Sequence, residues 1–269
     1  MLQATDLHLG SRLCGVSGII QPAQITHLIG PNGAGKSTLL AILAGMLHPE
    51  QGQVLLNDVT PLRVTSRHPH LDTDYEKPRP LSSCSVAQLA RLRGYLPQQQ
   101  YPGLDLPVYQ YIHTYLRHPL TAETELTVRE LTRRLSLEPK LSSMISHLSG
   151  GEWQRVRLVS ILLQVWPTLS GAPRLLLLDE PMTALDIAYQ AVFNTLLGEL
   201  KDAGLTIVMT GHDLNHTLAQ ADQVWLIENG RCVAQGNTAQ VMTEARLSAV
   251  YQVPFRRVQV EGRELLLTP

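Results

Sequence analysis

Apolar residues along the chain fall into two patterns, short continuous runs and longer segments with helical spacing. Continuous runs are typical of strands buried on both faces, whereas apolar residues three and four positions apart are typical of amphipathic helices. The predicted strands are 25–29, 53–56, 174–179 and 205–210, and the predicted helices are 36–47, 158–165, 187–203 and 213–221. Because strands alternate with helices, the predicted fold class is α/β with a mainly parallel sheet.

Two turn signals add an antiparallel β portion to this fold. Asn229-Gly230 separates apolar runs at 224–228 and 231–234, which is the strongest short-range signal for a hairpin. Residues 257–267 alternate around Glu261-Gly262-Arg263 and predict a second hairpin.

A single domain over residues 1–269 is predicted, with three local departures from strand–helix alternation. One stretch is mainly helical and polar, one is polar and rich in proline, and the last follows the final predicted helix. The predicted boundaries are about 100–168 for an embedded helical subdomain, about 63–83 for a loop insertion and about 250–269 for a C-terminal extension.

Composition narrows the class of protein. The 22 Lys and Arg against 23 Asp and Glu give a net charge of -1, which argues against a protein that binds nucleic acid by neutralising phosphates. No apolar run approaches the roughly 18 residues of a spanning helix, and the first residues lack the features of a secretory signal. The three cysteines have no paired spacing, so a reducing, cytosolic compartment is expected.

One glycine-rich segment has the pattern of a phosphate-binding loop. Residues 30–38 fit G-x-x-x-x-G-K-[ST] between a predicted strand and a predicted helix. Glycines let several backbone N–H groups converge on phosphate oxygens, Lys36 adds a charge, and Ser37 offers a hydroxyl for magnesium. The alternative is a glycine-rich turn with an incidental lysine. The candidate phosphate-binding residues are Gly30, Asn32, Gly33, Ala34, Gly35, Lys36, Ser37 and Thr38.

Two carboxylates follow the apolar run Leu175–Leu178. The carboxyl ends of parallel strands are where α/β sheets bind ligands. Asp179 is suited to hold hydrated Mg²⁺ and Glu180 to deprotonate an attacking water. The alternative is that either residue only caps the next helix.

A second glycine motif, Leu148-Ser149-Gly150-Gly151-Glu152, opens the helix that is predicted to end at Val165. Ser149 and Glu152 have the spacing of a capping box, which is the purely structural interpretation. Two glycines at a helix start also expose backbone N–H groups, and this predicts a second anion site.

These motifs, together with Thr183-Ala184-Leu185-Asp186, resemble the nucleotide-binding subunits of ABC transporters over residues 2–256. The resemblance implies a P-loop NTPase core that hydrolyses ATP with Mg²⁺ and pairs head to tail with a second copy. Across that homodimer, Ser149 and Gly151 would reach the γ-phosphate, within a signature of Ser149, Gly150, Gly151 and Glu152. Asp186 would then connect the two sites.

The same resemblance assigns roles to three further residues. Gln98 would sense magnesium as a ligand alongside Ser37 and Asp179, and His212 would contact the γ-phosphate and hold the base Glu180. Asn32 would lie near the attacking water. The alternatives are a solvated polar loop for Gln98 and an ordinary surface histidine for His212.

One departure from the family pattern concerns the adenine base. Residues 1–24 contain no Phe, Tyr or Trp, whereas the family usually stacks an aromatic residue on adenine near the first strand. His8, Arg12 and Leu13 are the candidates to replace it, and the preference for ATP over GTP is open.

Within the family, three segments look like the ATP-binding subunits of vitamin B12 importers. They are 148–158, 175–186 and 212–218, and the likeness continues through 250–257 and 261–262. This implies a peripheral protein on the cytoplasmic face of a bacterial inner membrane. Its partners would be polytopic permease subunits and, indirectly, a substrate-binding protein. Importers of ferric siderophores or haem are the alternative, followed by a non-transport regulatory ATPase.

Overall fold

A computed structural model of the chain describes residues 2–56, 78–98, 103, 105–116, 121–170 and 175–269. The strands are β1 Leu2–Leu9, β2 Leu13–Ile20, β3 Ile25–Ile29, β4 Gln51–Leu56, β5 Arg79–Pro80, β6 Arg93–Leu96, β7 Leu175–Leu178, β8 Thr206–Thr210, β9 Gln223–Glu228, β10 Arg231–Asn237, β11 Arg256–Val260 and β12 Arg263–Leu267. The helices are α1 Lys36–Leu43, α2 Val86–Leu92, α3 Val108–His113, α4 Ala122–Arg134, α5 Gly150–Val165, α6 Pro167–Ser170, α7 Ile187–Asp202, α8 Leu214–Gln220, α9 Thr238–Val241 and α10 Glu244–Tyr251.

The central sheet has the strand order β10-β9-β3-β8-β7-β6 and is parallel except for β10. Its inner strands β3, β7 and β8 are buried at every position. Such strands are covered on both faces, which explains why they are almost continuously apolar. The predicted mainly parallel α/β sheet is confirmed, and the carboxyl ends of five strands share one edge.

A second sheet is antiparallel, in the order β2-β1-β4-β5. The sequence did not predict β1 and β2 individually, because β2 carries two glycines and its burial alternates only weakly. Residues 63–77 of the insertion predicted at 63–83 lie outside the described residues. Its end differs from a loop: Arg79 and Pro80 pair with β4, and Leu81–Ser83 form a 3₁₀ turn with Leu81 buried.

Helices α3, α4 and α5 pack together beside β6 and form the described part of the predicted helical region. Their shared core includes Ile112, Leu131, Val159 and Leu162, all fully buried. The helix predicted at 36–47 is wrong at its end, since α1 stops at Leu43 and Gly45 adopts a left-handed φ of 66°. A left-handed residue terminates a helix and glycine tolerates it best.

Both predicted hairpins are present. Asn229 and Gly230 have φ of 47° and 74°, and Glu261 and Gly262 have φ of 50° and 77°, so each pair makes a turn with two left-handed residues. The C-terminal hairpin lies against α8, where Asn215 exchanges two hydrogen bonds with the backbone of Leu266. Across the described ranges, no helix combines the length and apolar character needed to cross a bilayer.

Candidate nucleotide-binding site

A cleft of about 540 Å³ opens at the carboxyl edge of the central sheet. It is lined by Arg12, Asn32, Gly33, Ala34, Gly35, Lys36, Ser37, Thr38, Gln98, Glu180 and His212. Residues from five separate stretches of the chain therefore meet here, and most of the predicted phosphate-binding residues are among them.

The glycine-rich segment leaves β3 and enters α1 by a path that only glycine permits. Gly30 and Gly35 have φ of 146° and 104°. A Cβ on Gly30 would lie 2.0 Å from the carbonyl oxygen of Ile227, and one on Gly35 would lie 2.5 Å from that of Arg12. The loop is thus closely packed against two neighbouring segments, which fixes the path of its backbone along the cleft.

Lys36 lies inside the loop with only 5% of its surface exposed. Its Nζ donates hydrogen bonds to the carbonyl oxygens of Gly30 at 2.8 Å and Pro31 at 2.9 Å. Burial lowers the pKa of this ammonium, and the nearby carboxylates of Glu180 and Asp179 oppose the shift. The result is a partly desolvated cation that lines the cleft and is held by two carbonyl oxygens.

Asp179 is 4% exposed and accepts two hydrogen bonds on the same oxygen. Ser37 Oγ donates at 3.0 Å and Thr210 Oγ1 at 2.6 Å, both to Oδ1. Burial raises the pKa of Asp179, and these two hydrogen bonds oppose the shift because they stabilise the carboxylate. The first residue of the acidic pair is therefore fixed to the phosphate loop through Ser37.

Each carboxylate oxygen of Glu180 has a side-chain partner. Gln98 Nε2 donates to its Oε2 at 2.9 Å, and His212 Nε2 makes a hydrogen-bond contact with its Oε1. Neither carboxylate of the pair caps the next helix, since α7 begins later and is capped by Asp186. The three predicted catalytic residues, Glu180, His212 and Gln98, are thus brought together.

Two further groups support this arrangement, and neither is predicted from the sequence. Thr210 holds both carboxyl residues, and its signal was a polar residue ending an apolar strand shortly before His212. Arg157 is buried in α5 and donates to the carbonyl oxygens of Pro97 and Gln98, at 3.3 Å for Gln98. No local pattern distinguishes Arg157, because its partners lie about 60 positions earlier along the chain.

The donor set fits a magnesium ion. Ser37 Oγ and a carboxylate oxygen of Asp179 lie together, with the side chain of Gln98 in the same cleft. Hard oxygen ligands suit Mg²⁺, which usually takes one or two protein carboxylates and completes its shell with water and substrate phosphates. Within the described ranges no group of three or more His, Cys, Asp or Glu residues is placed to hold a metal ion.

The second glycine motif lies outside the cleft lining. Ser149 caps α5 and forms the predicted capping box with Glu152, whose pKa is lowered to about 2 by the backbone N–H of Ser149 and then by Lys140. A Cβ on Gly151 would lie 2.8 Å from the carbonyl oxygen of Ala184. The signature residues and the phosphate loop do not meet within one chain.

Of the three candidates for an adenine contact, only Arg12 lines the cleft. Leu13 is fully buried in the antiparallel sheet, and His8 contacts the carboxylate of Asp6 at 3.1 Å. Arg12 is therefore the one candidate with access to the site.

A parallel sheet that places a glycine-rich phosphate loop beside two carboxylates defines a P-loop nucleotide-binding protein. The ABC transporter family model matches residues 13–183, and the chain belongs to that family. It is 45% identical over 261 residues to a vitamin B12 import ATP-binding protein, BtuD, of Pectobacterium atrosepticum, covering 96% of this chain and 95% of that protein. A protein of the same name from Escherichia coli is 40% identical over 268 residues, covering 100% and 98%.

Solved structures agree on the fold. An ATP-binding subunit of an ABC transporter superposes with a TM-score of 0.74 at 25% identity, covering 90% of this chain and 91% of that one. A dimeric bacterial ABC transporter cassette gives a TM-score of 0.68 at 21% identity, covering 88% and 99%. The predicted ABC ATPase fold is confirmed.

Proposed function

We propose that the chain is the ATP-hydrolysing subunit of a bacterial importer that takes up vitamin B12 through a separate membrane subunit. The observation that carries the chemistry is the meeting of the phosphate loop, Asp179, Glu180, Gln98 and His212 in one cleft. The cargo rests on the names of relatives that are 39% to 45% identical over nearly the whole chain.

The phosphate loop would bind the β- and γ-phosphates of ATP. Residues Gly33 to Thr38 line the cleft at the start of α1, where the helix dipole favours negative charge. Lys36 would exchange its contacts with the carbonyls of Gly30 and Pro31 for phosphate oxygens, since an ammonium prefers a full anion.

Mg²⁺ would be held by Ser37 and Asp179, with Gln98 as the further ligand. Bound there with ATP, the ion would neutralise charge on the phosphate oxygens. The chain's part is to present these donors in fixed positions, which the hydrogen bond between Ser37 and Asp179 favours.

Glu180 would act as the general base. Its carboxylate would take a proton from water while the water oxygen bonds to the γ-phosphorus and the bond from that phosphorus to the bridging oxygen of ADP breaks. Gln98 and His212 each contact one oxygen of the carboxylate and orient it, and Asn32, which lines the same cleft, would lie near the attacking water. Positioning of this kind supplies most of the catalysis in phosphoryl transfer.

The site would be completed by a second copy of the chain. Ser149, Gly150, Gly151 and Glu152 lie away from the phosphate loop of their own chain, and α5 begins with N–H groups suited to an anion. In a head-to-tail homodimer they would close over the γ-phosphate of the partner copy. Asp186, next to the contact between Gly151 and Ala184, would connect the two sites.

The pore would be formed by membrane permease subunits, with a substrate-binding protein acting further upstream. The chain would then sit peripherally on the cytoplasmic face of the inner membrane. A net charge of -1 gives no support for nucleic acid as a partner.

Uptake in cells that lack this chain tests the proposal. We expect labelled cobalamin uptake to be lost, to return with the wild-type gene and with Glu130→Gln, and to stay absent with Glu180→Gln. Glu130 is the matched control because it pairs with Arg133 on an exposed helix face. If cobalamin uptake is unchanged and ferric-siderophore uptake is lost, the proposed cargo is wrong. If both kinds of uptake are unchanged, the proposed role in transport is wrong.

A further inference from the structure

Thr210 is a buried hydroxyl at the point where β8 meets the nucleotide cleft. Its exposed fraction is 1%, and it is the last residue of an otherwise apolar strand apart from Thr206 at the opposite end. A buried hydroxyl is costly unless it is hydrogen-bonded, so its partners indicate why it is tolerated there.

The hydroxyl uses both of its hydrogen-bonding functions on the acidic pair. Thr210 Oγ1 donates to Asp179 Oδ1 at 2.6 Å and accepts the backbone N–H of Glu180 at 2.8 Å. The first contact fixes a carboxylate oxygen and the second fixes the main chain of the adjacent residue. No other described side chain contacts both residues by hydrogen bonds.

The hydrogen bond from the N–H of Glu180 to Thr210 stabilises a backbone conformation that is otherwise unfavourable. Glu180 has φ of 49°, a left-handed conformation that costs a non-glycine residue energy. It follows the end of β7, so its N–H has no neighbouring strand to pair with and depends on Thr210. His212, two residues beyond Thr210, contacts the carboxylate of the same glutamate.

We propose that Thr210 is a positioning residue for ATP hydrolysis. From the neighbouring strand β8 it fixes the positions of Asp179 and Glu180 relative to each other. The carboxylate of Glu180 then projects toward His212 and Gln98, and Asp179 keeps its contact with Ser37. This inference rests on the proposed ATPase function, because both carboxylates are assigned there.

Thr210→Val keeps the shape of the side chain and removes the hydroxyl, whereas Thr210→Ser keeps the hydroxyl. Thr206→Val is the matched control, since Thr206 is also buried on β8 and also accepts a backbone N–H, from Ala23 at 3.2 Å, at the far end of the strand. All three are made in the full-length chain, and steady-state hydrolysis is measured against ATP and Mg²⁺ concentration.

We expect Thr210→Val to lower kcat by about tenfold or more, as for loss of a hydrogen bond to a charged group. The Thr210→Ser and Thr206→Val variants should stay within about threefold of wild type. Binding of a fluorescent ATP analogue in EDTA should be unchanged in Thr210→Val, because the phosphate loop is intact. The increase in affinity for this analogue when Mg²⁺ is added should be smaller in Thr210→Val than in the wild type.

Three results would overturn the inference: wild-type kcat and Mg²⁺ gain in Thr210→Val, an equal loss in Thr206→Val, or failure of Thr210→Ser to preserve turnover. If Thr210→Val does not fold, Thr210→Ala is compared with Thr210→Ser under the same criteria. Absence of hydrolysis in the wild-type chain and in its complex with the membrane subunits would instead overturn the proposed function.

Discussion

The two sides of the cleft are built in different ways. The phosphate loop is one contiguous segment, Gly30–Thr38, whose shape is set by glycine backbone and by two close approaches to neighbouring carbonyl oxygens. The carboxylate side is assembled from the ends of β6, β7 and β8, which lie far apart in sequence, and from side chains that contact one another: Gln98, Asp179, Glu180, Thr210 and His212.

This difference separates binding from chemistry. Backbone N–H groups recognise phosphate without needing any particular side chain, so the loop side is expected to determine affinity for nucleotide. The carboxylate side depends on the orientation of individual side chains, which is expected to determine the rate of hydrolysis. A direct hydrogen bond from Ser37 to Asp179 connects the two sides.

The largest effect is expected from Glu180→Gln. The amide can keep hydrogen bonds to neighbouring groups but cannot accept a proton, so kcat should fall by about a thousandfold while ATP binding persists. Steady-state hydrolysis and equilibrium binding of ATP measure the two quantities. Size-exclusion chromatography with ATP should show a trapped dimer.

The exposed residue Glu130 provides the control, since Glu130→Gln makes the same chemical change outside the cleft. Normal turnover in Glu180→Gln would refute its assignment as the base. Lost ATP binding in the same variant would contradict the division between the two sides.

The contiguous side of the site could be predicted from sequence, and the assembled side only in part. Gly30–Thr38 matches a contiguous sequence pattern, and Asp179 and Glu180 can be recognised because they follow an apolar strand. Gln98 and His212 were placed through family resemblance. Arg157 has no local pattern, and Thr210 has only that of a polar residue at the end of an apolar strand, because their roles are defined by partners that only the folded chain brings near.

The fold shows the same division. Buried parallel strands such as β7 are continuous apolar runs and were predicted to within a residue or two. Strands β1 and β2 were not, since burial alternates only weakly along both and two glycines interrupt β2. The end of α1 was misplaced because the left-handed residue Gly45 terminates it, although the apolar residues Met46 and Leu47 continue the helical spacing.

Gly30→Ala tests the phosphate loop at its tightest point. A methyl group would lie 2.0 Å from the carbonyl oxygen of Ile227, at a φ that side chains rarely adopt, so we expect a loss of about 3 kcal/mol or more in the free energy of unfolding. Urea unfolding and equilibrium ATP binding measure the effect, and affinity should fall more than it does in any carboxylate-side variant.

Gly198→Ala is the control for that change. Gly198 lies inside α7 and a Cβ there would meet no atom within 4 Å, so alanine should stabilise the chain by about 1 kcal/mol. If Gly30→Ala behaved like Gly198→Ala, the loop would not be fixed by the close approach.

Arg157→Met tests the support beneath the carboxylate side. It leaves the carbonyl oxygens of Pro97 and Gln98 without their buried donor, which should cost about 1–3 kcal/mol of unfolding free energy and loosen Gln98. Turnover should fall with little change in ATP affinity. Arg133→Met, which removes an exposed arginine paired with Glu130, should cost less than about 1 kcal/mol. A larger loss of affinity than of turnover would contradict the comparison.

The last effect concerns pH and a histidine on the strand that leads into the phosphate loop. His27, in the middle of β3, is fully buried between Thr217 and the ring of His216. Burial, and then His216, lowers its pKa from 6.5 to about 3. Between those values the unfolded chain binds a proton that the folded chain excludes, so the free energy of unfolding should decrease as pH falls, by up to about 1.4 kcal/mol per pH unit.

The pKa of Asp179 is raised by burial in the folded chain. Protonation of this carboxyl therefore increases the free energy of unfolding as pH falls, which is opposite to the effect of His27. The contribution of His27 is therefore read from the difference between wild type and His27→Gln in urea unfolding from pH 7 to pH 5. We expect the wild type to lose stability more steeply, and the exposed His48→Gln control to follow the wild type. Parallel curves for wild type and His27→Gln would show that this histidine takes up its proton in the folded chain.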